Sequence, residues 1–155
     1  MATNNAGLFE DLAREAILDH YRRPRNRGTL PAPAAHYEGM NPVCGDEILL
    51  DVHADGGTIV DLAFGGQGCS ISQASASMMT EKVKGRTLDE IERTVALFRA
   101  MMIDGAEPAA ELGDLESLQG VAKYPARVKC ALLCWNVLQE GLDGATRTTA
   151  QEAIQ

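Results

Sequence analysis

The sequence predicts an α+β domain: a small antiparallel β-sheet with helices packed mainly on one face. Three observations carry this. Residues 47–53 and 58–64 alternate apolar and polar positions on either side of Asp55-Gly56-Gly57, the pattern of a β-hairpin. Four other stretches, 8–21, 70–85, 87–102 and 125–142, repeat their apolar residues at helical period. Finally, 155 residues without an internal repeat or low-complexity tract are the length of one domain, able to bury roughly two thirds of its unfolded surface without help from a metal.

In chain order, Leu8, Phe9, Leu12, Ala13, Ala16, Ile17 and Tyr21 mark a first amphipathic helix, which Pro24 ends. A loop over Gly28 to Pro33 leads to a short strand at His36 to Met40 and a turn at Cys44. In the hairpin that follows, Ile48, Leu50 and Val52 share one face. His53 falls on the polar face, and it is read with His20 and His36 as a surface residue rather than a ligand. Ser70 and Gln73 match a capping box that opens a helix running to Gly85, and Thr87 and Glu90 open another. These two are expected to pack as a pair. The acidic stretch Asp104 to Gly120, interrupted by Gly105, Pro108 and Gly113, reads as a mobile excursion with at most a helical turn at Leu115 to Leu118. Pro125 suits the first turn of a last helix whose stripe is Val128, Ala131, Leu132, Trp135, Leu138 and Leu142. Residues 1–145 are thus assigned to the domain and 146–155 to a frayed tail.

A net charge of -8 and a pI near 4.8 exclude sequence-independent nucleic-acid binding, which requires an excess of Lys and Arg. The N-terminus has no secretory pattern and no apolar stretch approaches membrane-spanning length, so a cytoplasmic protein is expected, with neither nucleic acid nor membrane as partner. Four cysteines in that compartment favour metal binding or thiol chemistry over disulfides. Arg22, Arg23, Arg25 and Arg27 cluster after the first helix. They read either as cations complementing the helix dipole or as a partner-docking patch, to which Arg127 and Lys129 are further candidates.

Chemistry is concentrated at three places. Asn41-Pro42-Val43-Cys44-Gly45-Asp46 sets a thiol and a carboxylate two positions apart. Gly65-Gly66-Gln67-Gly68-Cys69 sets a second thiol at a helix start, where unpaired backbone N–H groups favour thiolate. Tyr124-Pro125-Ala126-Arg127-Val128-Lys129-Cys130 sets a third just inside the last helix. Three thiols and a carboxylate make a four-coordinate set for a borderline-soft divalent metal, although no short CxxC knuckle is present. Asp46 reads equally as a turn aspartate. Cys130 and Cys134, four residues apart, both face one side of their helix, and periodicity does not choose between them. Reach to a site built from loop ends favours Cys130.

These segments, with Ile17-Leu18-Asp19-His20-Tyr21-Arg22-Arg23-Pro24-Arg25-Asn26-Arg27-Gly28, resemble the signatures of the U-type iron-sulfur assembly proteins over about Leu8 to Leu142. The resemblance is to the SufU branch of this IscU/NifU-like family. Lys129 stands where IscU-type proteins have a histidine, and Met101 to Gly120 carries an apparent insertion. It implies a SufE/IscU-like fold and a zinc site of Cys44, Asp46, Cys69 and Cys130, with Cys134 left to the core. It also implies sulfur acceptance from a PLP-dependent cysteine desulfurase of the SufS type, with downstream cluster-assembly machinery as a further partner.

On that basis Cys44, in a loop flanked by Pro42 and Gly45, is the expected persulfide acceptor, since Cys69 and Cys130 are anchored at helix starts. Two other readings stand beside this one. The same residues could scaffold a transient iron-sulfur cluster, or the zinc could be purely structural.

Overall fold

Ile48, Leu50 and Val52 alternate along the strand that becomes the middle of the sheet. In the computed structural model, which describes residues 3–42 and 44–154, the elements are α1 (Thr3–Arg22), β1 (Ala35–Asn41), β2 (Asp46–Asp55), β3 (Thr58–Gln67), α2 (Ser70–Val83), α3 (Leu88–Ile103), a 3-10 helix (Ala110–Lys123) and α4 (Pro125–Ile154). The strands form an antiparallel sheet in the order β1-β2-β3, with Asn41 opposite Asp46 and Leu50 opposite Phe64. Gly56 and Gly57 both take positive φ (60° and 79°), which a two-residue hairpin turn of the sheet's own twist requires. The fold class is therefore as expected. The last helix is continuous from Pro125 to Ile154, so the boundary drawn at residue 145 lies inside it.

α2 and α4 cover one face of the sheet, α4 against β1 and β2 and α2 against β3. From Ser72 to Thr80 every residue of α2 is buried. Its small side chains let α1, α4 and the sheet approach from all sides, and the hydroxyls are satisfied where they are buried. Ser75 Oγ donates to Ala131 O at 2.7 Å, Ser77 Oγ accepts from Arg25 N at 2.8 Å, and Thr80 Oγ1 donates to Ser77 O at 2.7 Å. The free edge of β3 is covered by the segment after α1, through Phe64 N to Asn26 O and Gly28 N to Phe64 O.

Four local expectations are corrected. Cys69, rather than Ser70, is the N-cap of α2, and its side chain accepts from Ser72 N. α3 packs on the 3-10 helix and α4 instead of pairing with α2. The linker is pinned to the hairpin turn, with Gly85 N on Ile59 O and Leu88 N on Gly57 O, and this turns α3 away. His20 is 1 % exposed, with Nδ1 2.8 Å from Ser77 Oγ and Nε2 3.3 Å from Asp114 Oδ2. It lies one turn beyond Ala16 and Ile17 and so joins the inner face of α1. His53 is exposed and His36 half-exposed, as expected of both.

The fourth correction is the largest. The stretch read as a mobile excursion carries most of the 3-10 helix, which is interrupted at Gly113 (φ 56°) and buries Leu112, Leu115, Leu118 and Val121. Beyond the kink, Leu115, Leu118 and Val121 at a spacing of three eclipse on a 3-10 helix and form one stripe, whereas a search at 3.6 residues per turn scatters them. Leu118→Ala is accordingly expected to cost about 2–5 kcal/mol in denaturant unfolding, and a loss below about 0.5 kcal/mol would return the segment to a surface loop.

Asp51 joins the loop before β1 to the sheet. Its Oδ2 accepts from Leu30 N at 2.9 Å and its Oδ1 lies 2.6 Å from His36 Nδ1. The hydrogen bond to Asp51 raises the His36 pKa, and the His36 and Leu30 hydrogen bonds lower that of Asp51. The Asp51 contribution is present above the unfolded aspartate value and is lost as pH falls through its folded value. The His36 contribution is present below the unfolded histidine value and is lost as pH rises through its folded value. The pair therefore stabilises most between about pH 4 and pH 6.5. Being half-exposed, it contributes roughly 0.2–1 kcal/mol. The Tm difference between wild type and His36→Ala should peak in that window and shrink above it.

Candidate metal centre

Three elements end at one point. β1 and β2 close with Asn41 opposite Asp46, and the short loop between them carries Cys44. β3 runs through Gly66 into Gly68 and Cys69, and α4 opens at Pro125 so that Cys130 lies just beyond its first turn. The carboxylate of Asp46, 0 % exposed, links the first two: Oδ1 accepts from Cys69 N at 2.9 Å and Oδ2 lies 3.8 Å from Cys69 Sγ. Cys130 Sγ lies 3.4 Å from Cys44 Sγ. Ligand atoms of Cys44, Asp46 and Cys130 all fall within 4.8 Å of one another.

The four residues singled out from the sequence thus converge, with Cys69 attached through Asp46. Their exposures differ. Cys130 is buried, Cys69 is intermediate and Cys44 is exposed. Cys134, one turn further along α4, is buried beside Ser75 Oγ at 3.5 Å, and burial pushes its thiol up to about 12. It points away from this cluster's chemistry and behaves as a core side chain.

The donor set fits a tetrahedral divalent cation. About 2.3 Å for each metal–thiolate bond implies a sulfur–sulfur edge of about 3.8 Å, close to the 3.4 Å between Cys44 and Cys130. A fully buried carboxylate also calls for positive charge, and among the described residues no Lys or Arg is ion-paired with Asp46. Burial, with hydrogen bonding to Asp46 and Cys44, raises the Cys130 thiol well above its ordinary value in the absence of a metal. Arg127 interacts with this cluster, its guanidinium held above its usual pKa by Cys130 and Cys69. It therefore belongs to the rim of the centre, which the sequence position alone did not disclose.

The loop that delivers Cys69 is held from behind. Arg27 donates from Nη1 to Gln73 Oε1 at 3.0 Å and from Nη2 to Gly66 O at 2.7 Å, and its guanidinium lies 5.4 Å from the centre of the Phe64 ring. Arg25 is likewise engaged, donating to Asp19 Oδ2 at 2.6 Å. Arg22, Arg23, Arg127 and Lys129 are exposed. Two further contributors were not assigned roles from the sequence. Asn41 donates from Nδ2 to Cys44 Sγ at 3.5 Å, and Ser72 Oγ donates to Cys69 O at 3.1 Å. Asn41 stands at the last paired position of a hairpin, three residues before a cysteine, and that placement was the available signal.

Gly66 takes φ +103°, and a Cβ there would lie 2.2 Å from Glu47 O, a backbone atom with no freedom to retreat. At Gly68 a Cβ would lie 2.5 Å from both Asp46 Oδ1 and Ser72 Oγ. Gly66→Ala should therefore lower stability by at least about 2 kcal/mol and speed alkylation of Cys69 in the metal-free protein. An unchanged Tm with unchanged Cys69 reactivity would show that the loop tolerates displacement.

A description of the NifU-like N terminal domain family matches residues 12–131. The chain is 46 % identical over 140 residues to the zinc-dependent sulfurtransferase SufU of Bacillus subtilis strain 168, covering 89 % of this chain and 93 % of that protein. It is 44 % identical over 127 residues to the iron-sulfur cluster assembly scaffold protein IscU of Streptococcus pyogenes serotype M1, covering 81 % and 79 % respectively. Among solved structures it is similar to the SUF-system scaffold protein of Fervidobacterium islandicum AW-1, with a TM-score of 0.76, 38 % identity, and 83 % of this chain and 94 % of that one covered.

Proposed function

Since the chain belongs to the NifU-like N-terminal domain family, we propose that it acts in iron-sulfur cluster assembly as a zinc-dependent sulfurtransferase, accepting persulfide sulfur from a PLP-dependent cysteine desulfurase onto Cys44. The observation that carries the reading is the contrast in exposure within one cluster. Cys44 is exposed on a hairpin loop, while Asp46 and Cys130 are buried and Cys69 is fixed as a helix cap. An incoming persulfide therefore reaches Cys44 first.

Zinc held by Cys44, Asp46, Cys69 and Cys130 would supply the positive charge that keeps these thiols ionised near neutral pH. The chain's own residues do the rest. The Cys44 thiolate attacks the outer sulfur of the desulfurase persulfide; the new bond is between Cys44 Sγ and that sulfur, and the electron pair of the broken S–S bond leaves on the desulfurase cysteine. Atoms and electrons balance without an oxidant. Asp46 keeps the N-terminus of α2 in place through its bond to Cys69 N, so the site survives when Cys44 moves. Arg127 offers a cation beside the two anchored sulfurs. Arg22, Arg23 and Lys129, all exposed, are with Arg127 the cations proposed to meet the desulfurase.

Similarity to the Streptococcus scaffold protein supports a second reading, in which the same thiols build a transient cluster and pass it on. One experiment separates the two. Desulfurase turnover is measured with zinc-loaded protein, with Cys44→Ala and with metal-stripped protein. The sulfurtransferase reading expects acceleration by the intact protein and loss of it in both controls. Unchanged turnover, together with stoichiometric iron and acid-labile sulfide after anaerobic reconstitution, would replace it with the scaffold reading.

A further inference from the structure

A sulfur carrier has to do two opposite things at one atom. On loading, the carrier sulfur is the nucleophile and negative charge leaves it. On unloading, an acceptor thiolate attacks the outer sulfur, the S–S bond breaks, and the electron pair returns to the carrier sulfur as it leaves. A hydrogen-bond donor fixed at that atom helps only the step in which its charge grows, because only interactions stronger in the transition state than in the ground state raise a rate.

Asn41 is such a donor. It is the last residue of β1, paired with Asp46, and it is 8 % exposed. Its carbonyl accepts from Gly45 N at 2.8 Å, closing the turn, while its side-chain Nδ2 donates to Cys44 Sγ at 3.5 Å. The backbone bond fixes where Cys44 sits, and the side-chain bond meets its sulfur with a neutral donor mounted on a strand end. A neutral amide stays in place whether the sulfur is charged or not, unlike a thiol neighbour such as Cys130, which exchanges its proton or its metal.

Resting on the reading of Cys44 as the sulfur carrier, we infer that Asn41 is a further catalytic residue, and that its task is unloading: it stabilises the charge that returns to Cys44 Sγ as the sulfur is handed to the acceptor. Loading gains nothing from it, since there the donor holds the attacking thiolate more tightly than the spent one. The division of labour within the site follows. The anchored ligands on α2 and α4 hold the site, Cys44 carries, and Asn41 makes Cys44 a good leaving group.

The test needs no desulfurase. Zinc-loaded protein, the form the proposed function invokes, is charged at Cys44 with inorganic polysulfide under anaerobic conditions. Loading and subsequent unloading by glutathione are followed by mass spectrometry as gain and loss of one sulfur on the Cys44 peptide. Asn41→Ala is expected to load within about twofold of wild type and to unload roughly tenfold more slowly, as loss of a hydrogen bond to a charged group implies. Asn41→Asp keeps the shape but places an acceptor where the donor stood, and should unload more slowly still. If the Asp variant does not fold, the Ala variant decides alone. Unloading at the wild-type rate in Asn41→Ala, or equal slowing of both steps, overturns the assignment and leaves Asn41 a structural closure of the turn. A protein that fails to stimulate the desulfurase but shows this asymmetry would lose the proposed function and keep the role of Asn41.

Discussion

The bond from Cys69 N to the buried Asp46 carboxylate is the constraint on which the rest of the site depends. Asp46 begins the central strand and Cys69 caps the central helix, so one contact of 2.9 Å sets the start of β2 against the start of α2. Glycine is required along the path between them because the chain has to pass the Glu47 carbonyl and the Asp46 and Ser72 oxygens at distances that leave no room for a Cβ. The partial positive charge at the helix start and the negative carboxylate complement each other. The Asp46 carboxyl is buried against thiols, and among the described residues no Lys or Arg is ion-paired with it. A divalent cation would complete that environment.

Rigidity and access are divided among the four candidate donors by the elements that carry them. α2 is buried from Ser72 to Thr80 and is held by hydroxyl bonds to α4 and to the segment after α1. Cys69 and Cys130 inherit that rigidity. Cys44 sits in a turn that closes on Asn41, and it is exposed. A candidate site built on two helix starts and one hairpin loop can therefore release one donor while the other three stay in place, as the proposed sulfur carrier requires.

The 3-10 helix extends the same economy to the outside of the domain. Its buried leucines give α3 a surface to rest on, and Asp114, beside its kink, faces the buried His20 between α1 and α2. The segment between Cys69 and Cys130 is thus a working part of the core, filled by packed structure.

Much of this was legible in the residues. Alternation about Asp55-Gly56-Gly57 specified the hairpin, because strand period and turn chemistry are local, and the thiols with Asp46 were conspicuous as metal donors at element ends. The sequence by itself therefore determined the class of fold, the main helices and the donor residues of the candidate centre. It did not determine that Leu115, Leu118 and Val121 form a stripe, since that depends on which helix type the surrounding core selects. Nor did it show that Arg27 braces the Cys69 loop, that Arg127 joins the rim, that His20 is buried, or that Asn41 reaches Cys44. Each of those is a contact between residues far apart in sequence or around a turn, and only tertiary packing decides which side chains meet.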